Sequence, residues 1–151
     1  MTMPLFSKVL IANRGEIALR IVRALHDLGI ASVAVYADDD AASPHVAAAS
    51  EAVALGATGP AAYLDGARII AIAQAQGCDA VHPGYGFLSE RADFAQACAD
   101  AGLRFIGPTP EQLALFGDKA QARALAQRCG VPLMPGTQAA VSLEEAQAFF
   151  A

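Results

Sequence analysis

The sequence predicts an α/β fold with a doubly wound, Rossmann-like parallel sheet. Three observations carry that expectation. Short apolar runs rich in β-branched residues alternate with stretches of helical period. Two of the helical stretches close on a glycine, Gly29 and Gly102, as a helix does when its C′ residue turns left-handed. The strands are separated by helices long enough to cross back over a sheet, which makes βαβ units and parallel pairing.

Each element follows from its residues. Lys8-Val9-Leu10-Ile11-Ala12 is an apolar run before the turn signal Asn13-Arg14-Gly15 and reads as a buried strand. From Glu16 to Leu28 the period changes, with Ile17, Ile21, Leu25 and Leu28 at helical spacing and Arg20, Arg23 and Asp27 on other faces. Ala31 to Tyr36 is a second strand, closed by Asp38-Asp39-Asp40, and Ser43-Pro44 reads as a helix start with proline at the first helical position. Ala52–Leu55 is a weak third strand, Asp65–Gln76 a helix carrying Ile69, Ile70 and Ile72, and Asp79-Ala80-Val81 a very short strand. Ser89–Ala101 reads as a helix with Ser89 as its N-cap, and Leu103–Ile106 as the next strand. In such a sheet ligands sit at the carboxyl ends of the strands, here Ala12–Gly15, Ala37–Asp40, His82–Glu90 and Gly107–Thr109.

After Pro110 the character shifts, which divides the chain into 1–110 and 111–151. Glu111–Phe116 and Asp118–Cys129 read as helices, followed by the turn-rich Gly130–Gly136. Ser142-Leu143-Glu144-Glu145 is a capping box opening a helix with Ala146, Phe149 and Phe150 on its apolar side. That helix stops after about two turns, short of ordinary helix length, and reads as one cut short; the plainer alternative is a short terminal helix packing on its domain.

Composition narrows the class. The 151 residues include 36 alanines, so the 55% apolar content overstates the larger apolar residues, which are present at an ordinary globular level. A net charge of −5 without a basic cluster argues against nucleic acid and against a polybasic membrane contact. Charges interrupt every apolar run before the roughly 18 residues of a spanning helix. No charged region followed by a long apolar core opens the chain, so no signal peptide is visible and a cytoplasmic location is expected. Cys78, Cys98 and Cys129 are odd in number, widely spaced and expected to be buried thiols of a reducing compartment. His26, His45 and His82 are scattered, so no metal site is expected.

A Rossmann-like sheet invites a nicotinamide dinucleotide, but the loop after the first strand argues against one. Asn13-Arg14-Gly15-Glu16-Ile17-Ala18 holds one glycine where the fingerprint needs three, and Glu16 at a helix N-terminus repels phosphate. As an acid in the first turn, Glu16 instead complements the helix dipole.

Three segments together carry a resemblance. KVLIANRGEIALRI (Lys8–Ile21), HPGYGFLSE (His82–Glu90), and FIGPTPEQLALFGDK (Phe105–Lys119) followed by GVPLMPG (Gly130–Gly136) resemble, in order and spacing, the N-terminal region of the biotin carboxylase family. The resemblance covers essentially the whole chain. It implies a Rossmann-like domain (1–110) preceding an ATP-grasp domain, of which 111–151 would be a truncated opening. It further implies a parent ligase, the biotin carboxylase of acyl-CoA, pyruvate or urea carboxylases. Such an enzyme uses ATP, Mg²⁺ and bicarbonate to carboxylate biotin held on a carrier protein or domain, and works with a carboxyltransferase. The family's phosphate lid, metal-binding acids, bicarbonate-binding arginine and base have no counterpart in this sequence. The fragment is therefore expected to be inactive alone, without catalytic residues of its own and without tight cofactor binding. The sequence departs from the family at Arg91, where asparagine is usual, and across the Ala-rich 37–50 region.

By resemblance, Lys119 contacts ATP phosphate; spacing alone reads as a solvated surface lysine, although a lysine at a helix N-terminus suits phosphate. By resemblance, Tyr85 and Gly86 border the biotin site, the hydroxyl reaching the ureido group; otherwise they belong to a structural turn. His82 is an acid–base candidate or a hydrogen-bonded structural residue, and Glu90 faces the site or offsets a helix dipole. Arg20, Arg23 and Asp27 correspond to the homodimer interface of bacterial relatives, or form a solvated charged face. Two other functions remain open: a different ATP-grasp ligase of the carbamoyl-phosphate synthetase or purine-pathway type, and a natural non-catalytic module binding a partner through the Arg20/Arg23 face. HPGYGFLSE favours the biotin family over the former.

Overall fold

The computed structural model describes residues 5–135 and 141–150, of Phe150 the backbone alone. Met1–Pro4 of the N-terminus and Gly136 of the third motif lie outside the described residues. The chain divides into two compact units between Pro110 and Glu111.

The first unit is built on five parallel strands, β1 (Lys8–Ile11), β2 (Ala31–Tyr36), β3 (Glu51–Ala54), β4 (Ala80–His82) and β5 (Arg104–Phe105), in the order β3-β2-β1-β4-β5. β1 sits at the centre, with Leu10 level with Val33 of β2 on one side and Val81 of β4 on the other. Successive residues of a strand point to opposite faces. Val9 and Ile11 therefore join one core, with Ile21, Val22 and Leu25 of helix α1 (Gly15–Asp27). Leu10 and Ala12 join the other, with Ile69 and Ile72 of α3 (Gly66–Ala75) and Phe94 and Cys98 of α4 (Ala92–Asp100). Each such aliphatic side chain contributes roughly 1.5–3 kcal/mol on full burial, so both faces of the central strand are held in a core. A short helix α2 (Pro44–Ala48) starts after Ser43 and makes contacts with α1. α1 ends before Gly29, whose φ of 69° makes the expected left-handed exit.

Two sequence expectations need correction. Ser89 is not the N-cap of α4. Residues 87–90 form a turn instead, with the Ser89 amide donating to Gly86 O at 2.8 Å and the Arg91 amide to Leu88 O at 3.2 Å; Arg91 takes the cap position. The cause is tertiary: Leu88 is drawn into the core, and Phe87 is held at φ 42° with its ring 5.4 Å from that of Tyr63. Glu90 thus lies in this turn and not in a helix. Cys129 is exposed, whereas Cys78 and Cys98 are buried as expected and burial pushes both thiols up to about 11.

In the second unit lie α5 (Pro110–Gly117), α6 (Lys119–Arg128) and α7 (Leu143–Phe150). Asp118 caps α6, its carboxylate accepting from the amides of Ala120 and Gln121 at 2.8 and 3.1 Å. The capping box forms both its bonds, Ser142 N to Glu145 at 2.8 Å and Glu145 N to Ser142 Oγ at 3.2 Å. Among the described residues, no helix is long and apolar enough to cross a membrane.

Candidate functional site

The sheet order reverses direction beside β1. The chain runs from β1 outward through β2 and β3, then returns to β4 on the other flank. In an open α/β sheet the crevice outside the carboxyl ends of such strands is where ligands bind. Two side-chain networks occupy that edge, one on each flank of β1.

On the β4 flank the organiser is Asn13, buried at the end of β1. Its amide nitrogen donates to Pro83 O at 2.7 Å and Tyr85 O at 2.8 Å, while its Oδ1 accepts from the Arg14 amide at 2.8 Å. One side chain thus satisfies the carbonyls of a loop seventy residues away and shapes the turn into α1. Gly84 lies against it, with φ 66°, and a Cβ there would come within 2.7 Å of Asn13 Nδ2. Only glycine fits both the conformation and the space. His82 Nδ1 accepts from the Gly84 amide at 3.1 Å, which leaves a neutral ring's proton on Nε2, and burial lowers its pKa. Gly86, at φ 67°, faces open space, and beside it Tyr85 projects 60% exposed. The Tyr85 hydroxyl donates to Glu16 Oε1 in the first turn of α1, and that bond holds the phenol above its ordinary pKa.

On the β2 flank the network is buried. Arg14 Nε donates to Asp40 Oδ2 at 2.6 Å, and the Tyr63 hydroxyl donates to the same oxygen at 2.8 Å. The Ala37 amide donates to the Tyr63 hydroxyl at 3.0 Å, and the Arg14 guanidinium lies 5.8 Å from the Tyr63 ring centre. The Arg14 bond holds Asp40 below the ordinary carboxylate range, and burial pushes Tyr63 up to about 12. His45 is fully buried close by with neither ring nitrogen in a hydrogen bond of good geometry, and desolvation lowers its pKa. Phe87, stacked on Tyr63, joins the two networks.

The structure therefore gathers His82, at the end of β4, and Tyr85 and Gly86 of the loop after it beside Asn13 and Glu16. Glu90 is exposed at the loop's far end. Arg20, Arg23 and Asp27 are exposed along α1, and Asp27 lies 3.7 Å from His26 Nδ1. Lys119 is exposed at the first position of α6 in the second unit. The α6 amides that could assist it toward phosphate are taken by the Asp118 carboxylate, so the lysine alone offers positive charge there. No group of three or more histidine, cysteine or acidic side chains able to hold a metal exists among the described residues. Sequence reasoning missed Asn13 as the loop's anchor, the Arg14–Asp40–Tyr63 network and the Glu16–Tyr85 bond. Each joins residues 23 to 72 positions apart, beyond any local pattern.

Comparison with known proteins places this geometry. The family described as "Biotin carboxylase, N-terminal domain" matches residues 5–113. The mitochondrial pyruvate carboxylase of Rattus norvegicus is 56% identical over 145 residues, 94% of this chain and 12% of that protein. The biotin carboxylase of Nostoc sp. is 51% identical over 141 residues, 93% of this chain and 32% of that protein. Among solved structures, the biotin carboxylase domain of a single-chain bacterial carboxylase superposes with a TM-score of 0.92 at 64% identity, covering 95% of this chain and 33% of that one. The biotin carboxylase domain dimer of Hydrogenobacter thermophilus 2-oxoglutarate carboxylase, in complex with MgADP, ADP and bicarbonate, superposes with a TM-score of 0.93 at 43% identity, covering 97% and 32%. The chain thus spans a third or less of the length of these relatives.

Proposed function

The chain belongs to the biotin carboxylase N-terminal domain family, and from that premise we propose that it forms the first part of an ATP-dependent biotin carboxylase. That parent carboxylates biotin on a carrier protein or domain and passes the carboxyl group to a carboxyltransferase. The observation that carries the reading is the HPGYGFLSE loop at the reversal of strand order, with Tyr85 exposed beside the open Gly86. When bound, ATP, Mg²⁺ and bicarbonate supply the activated carboxyl group, and biotin the ureido nitrogen that receives it.

The residues present fit part of that assembly. Gly86 lets a ligand approach the backbone, and Tyr85 offers a polar tip on an aromatic body suited to the ureido head. His82 and Glu90 stand on the same loop as its biotin-facing flanks. Lys119 suits an ATP phosphate as a mobile point charge. The described residues do not fit a Mg²⁺ site, because no group of three or more histidine, cysteine or acidic side chains among them is placed to hold a metal. This chain's role is therefore to orient biotin and lend one phosphate contact, and alone it is inactive and holds neither cofactor tightly. Residues 1–110 are the Rossmann-like domain and 111–151 the opening of the ATP-grasp domain. The exposed Arg20, Arg23 and Asp27 face of α1 supports a homodimer contact. Free thiols at Cys78, Cys98 and Cys129 support a reducing compartment, the cytoplasm.

The test is ATP turnover by the full-length parent. Turnover stimulated by free biotin in the presence of bicarbonate is expected. Bicarbonate-dependent turnover indifferent to biotin would point to another ATP-grasp ligase. Lys119→Gln is expected to raise KM for ATP at least tenfold, and an unchanged KM would return Lys119 to the solvated surface. Arg23→Glu is expected to shift the sedimenting species from dimer to monomer.

A further inference from the structure

We infer that Glu16 is a positioning residue for the ligand loop: by accepting a hydrogen bond from the Tyr85 hydroxyl, it fixes the loop over the crevice and turns the tyrosine oxygen into an acceptor for a ligand N–H. This deepens the proposed function and rests on it for the identity of the ligand.

A phenol has one donor and accepting lone pairs. Here the donor is spent on the Glu16 carboxylate. What remains toward the crevice is a lone pair, so Tyr85 meets a ligand N–H and not a ligand carbonyl. Biotin's ureido group carries both, and the Glu16 bond selects the N–H side. Geometry adds a second reason. Asn13 ties down the carbonyls of Pro83 and Tyr85, and Tyr63 packs on Phe87, but neither touches the Tyr85 side chain's tip. Between those anchors Gly84, Gly86 and Phe87 all have positive φ. Among the described residues, the Glu16 bond is the side-chain hydrogen bond that tethers the exposed ring. Glu16 itself is exposed on α1, so its substitution leaves the core untouched.

The experiment has two arms. In the full-length parent, KM and kcat for free biotin are measured for Glu16→Ala, Glu16→Gln, Tyr85→Phe and the Glu16→Ala/Tyr85→Phe pair. Glu16→Ala is expected to raise KM about fivefold with kcat changed less than twofold. Glu16→Gln keeps an acceptor oxygen and is expected to hold KM within twofold. The double variant is expected to match the worse single one. Independent, multiplying effects, or equal loss in the alanine and glutamine variants, would overturn the proposal. In the second arm, amide exchange at residues 84–88 is followed in the full 151-residue chain. A severalfold increase in Glu16→Ala and wild-type protection in Glu16→Gln are expected; identical exchange in all forms overturns the tether. Should the parent show no biotin-dependent turnover, the functional reading fails, and the exchange arm still decides whether Glu16 holds the loop.

Discussion

The two flanks of β1 solve different problems with similar residues. Toward β2, an arginine, an aspartate and a tyrosine are drawn inward and satisfy one another, with Asp40 and Tyr63 almost entirely out of water. Toward β4, a glutamate and a tyrosine meet at the surface, and only Asn13 behind them is buried. A buried network answers to stability, because a partner removed leaves a desolvated polar group behind. An exposed pair answers to position, because water replaces whatever is lost. The lesson is that burial, more than residue type, separates scaffold from ligand surface along one sheet edge.

The sharpest way to break the comparison is Asp40→Ala. It leaves the Tyr63 hydroxyl and the Arg14 guanidinium without their shared acceptor, and a loss of about 3 kcal/mol is expected in urea unfolding, tempered by the solvent that reaches Arg14. Asn13→Ala removes three neutral hydrogen bonds, of which only that to Pro83 O is buried. About 2 kcal/mol is expected, together with faster amide exchange at 84–88, where Asp40→Ala at equal denaturant distance gives none. Each flank carries one histidine, His45 toward β2 and His82 toward β4. His45 and His82 have folded pKa values lowered by burial, so the unfolded chain binds more protons below its ordinary value near 6.5. Their contribution is complete above that pH and is lost as pH falls toward the folded values. Urea midpoints taken from pH 7.5 to 5.5 are expected to fall, at up to about 1.4 kcal/mol per pH unit for each histidine. His45→Gln is expected to flatten the slope. The smallest effect belongs to Arg91→Asn, which breaks an exposed pair with Asp93 and restores the residue usual in the family. No measurable change in thermal midpoint is expected.

The strands and helices were legible because they are written locally. Val9-Leu10-Ile11 and Val33-Ala34-Val35 are apolar runs that only a sheet covered on both faces can bury. Gly29 and Gly102 mark helix exits by the one property glycine alone has in full. The error at Ser89 has the opposite origin. Ser89 is a good cap by type, but the chain before it is bent by Phe87 packing on a tyrosine 24 positions earlier. The site was legible only as a stretch of sequence. HPGYGFLSE pointed to the loop, yet nothing in it names Asn13 or Glu16 as its supports, because those pairings exist only once β1 and β4 lie side by side.

That dependence reaches into how the molecule is made. β1 is flanked by β2 and β4, and β4 follows it in the sequence only after β2 and β3. The hydrogen bond from Asn13 to Pro83 spans 70 residues, so the ligand loop cannot take shape until β4 is in place. Contacts of such long range come late, after the ordering of the intervening chain has been met. The crevice thus waits on the pairing of β1 with β4, which α1 and β2 precede in the sequence.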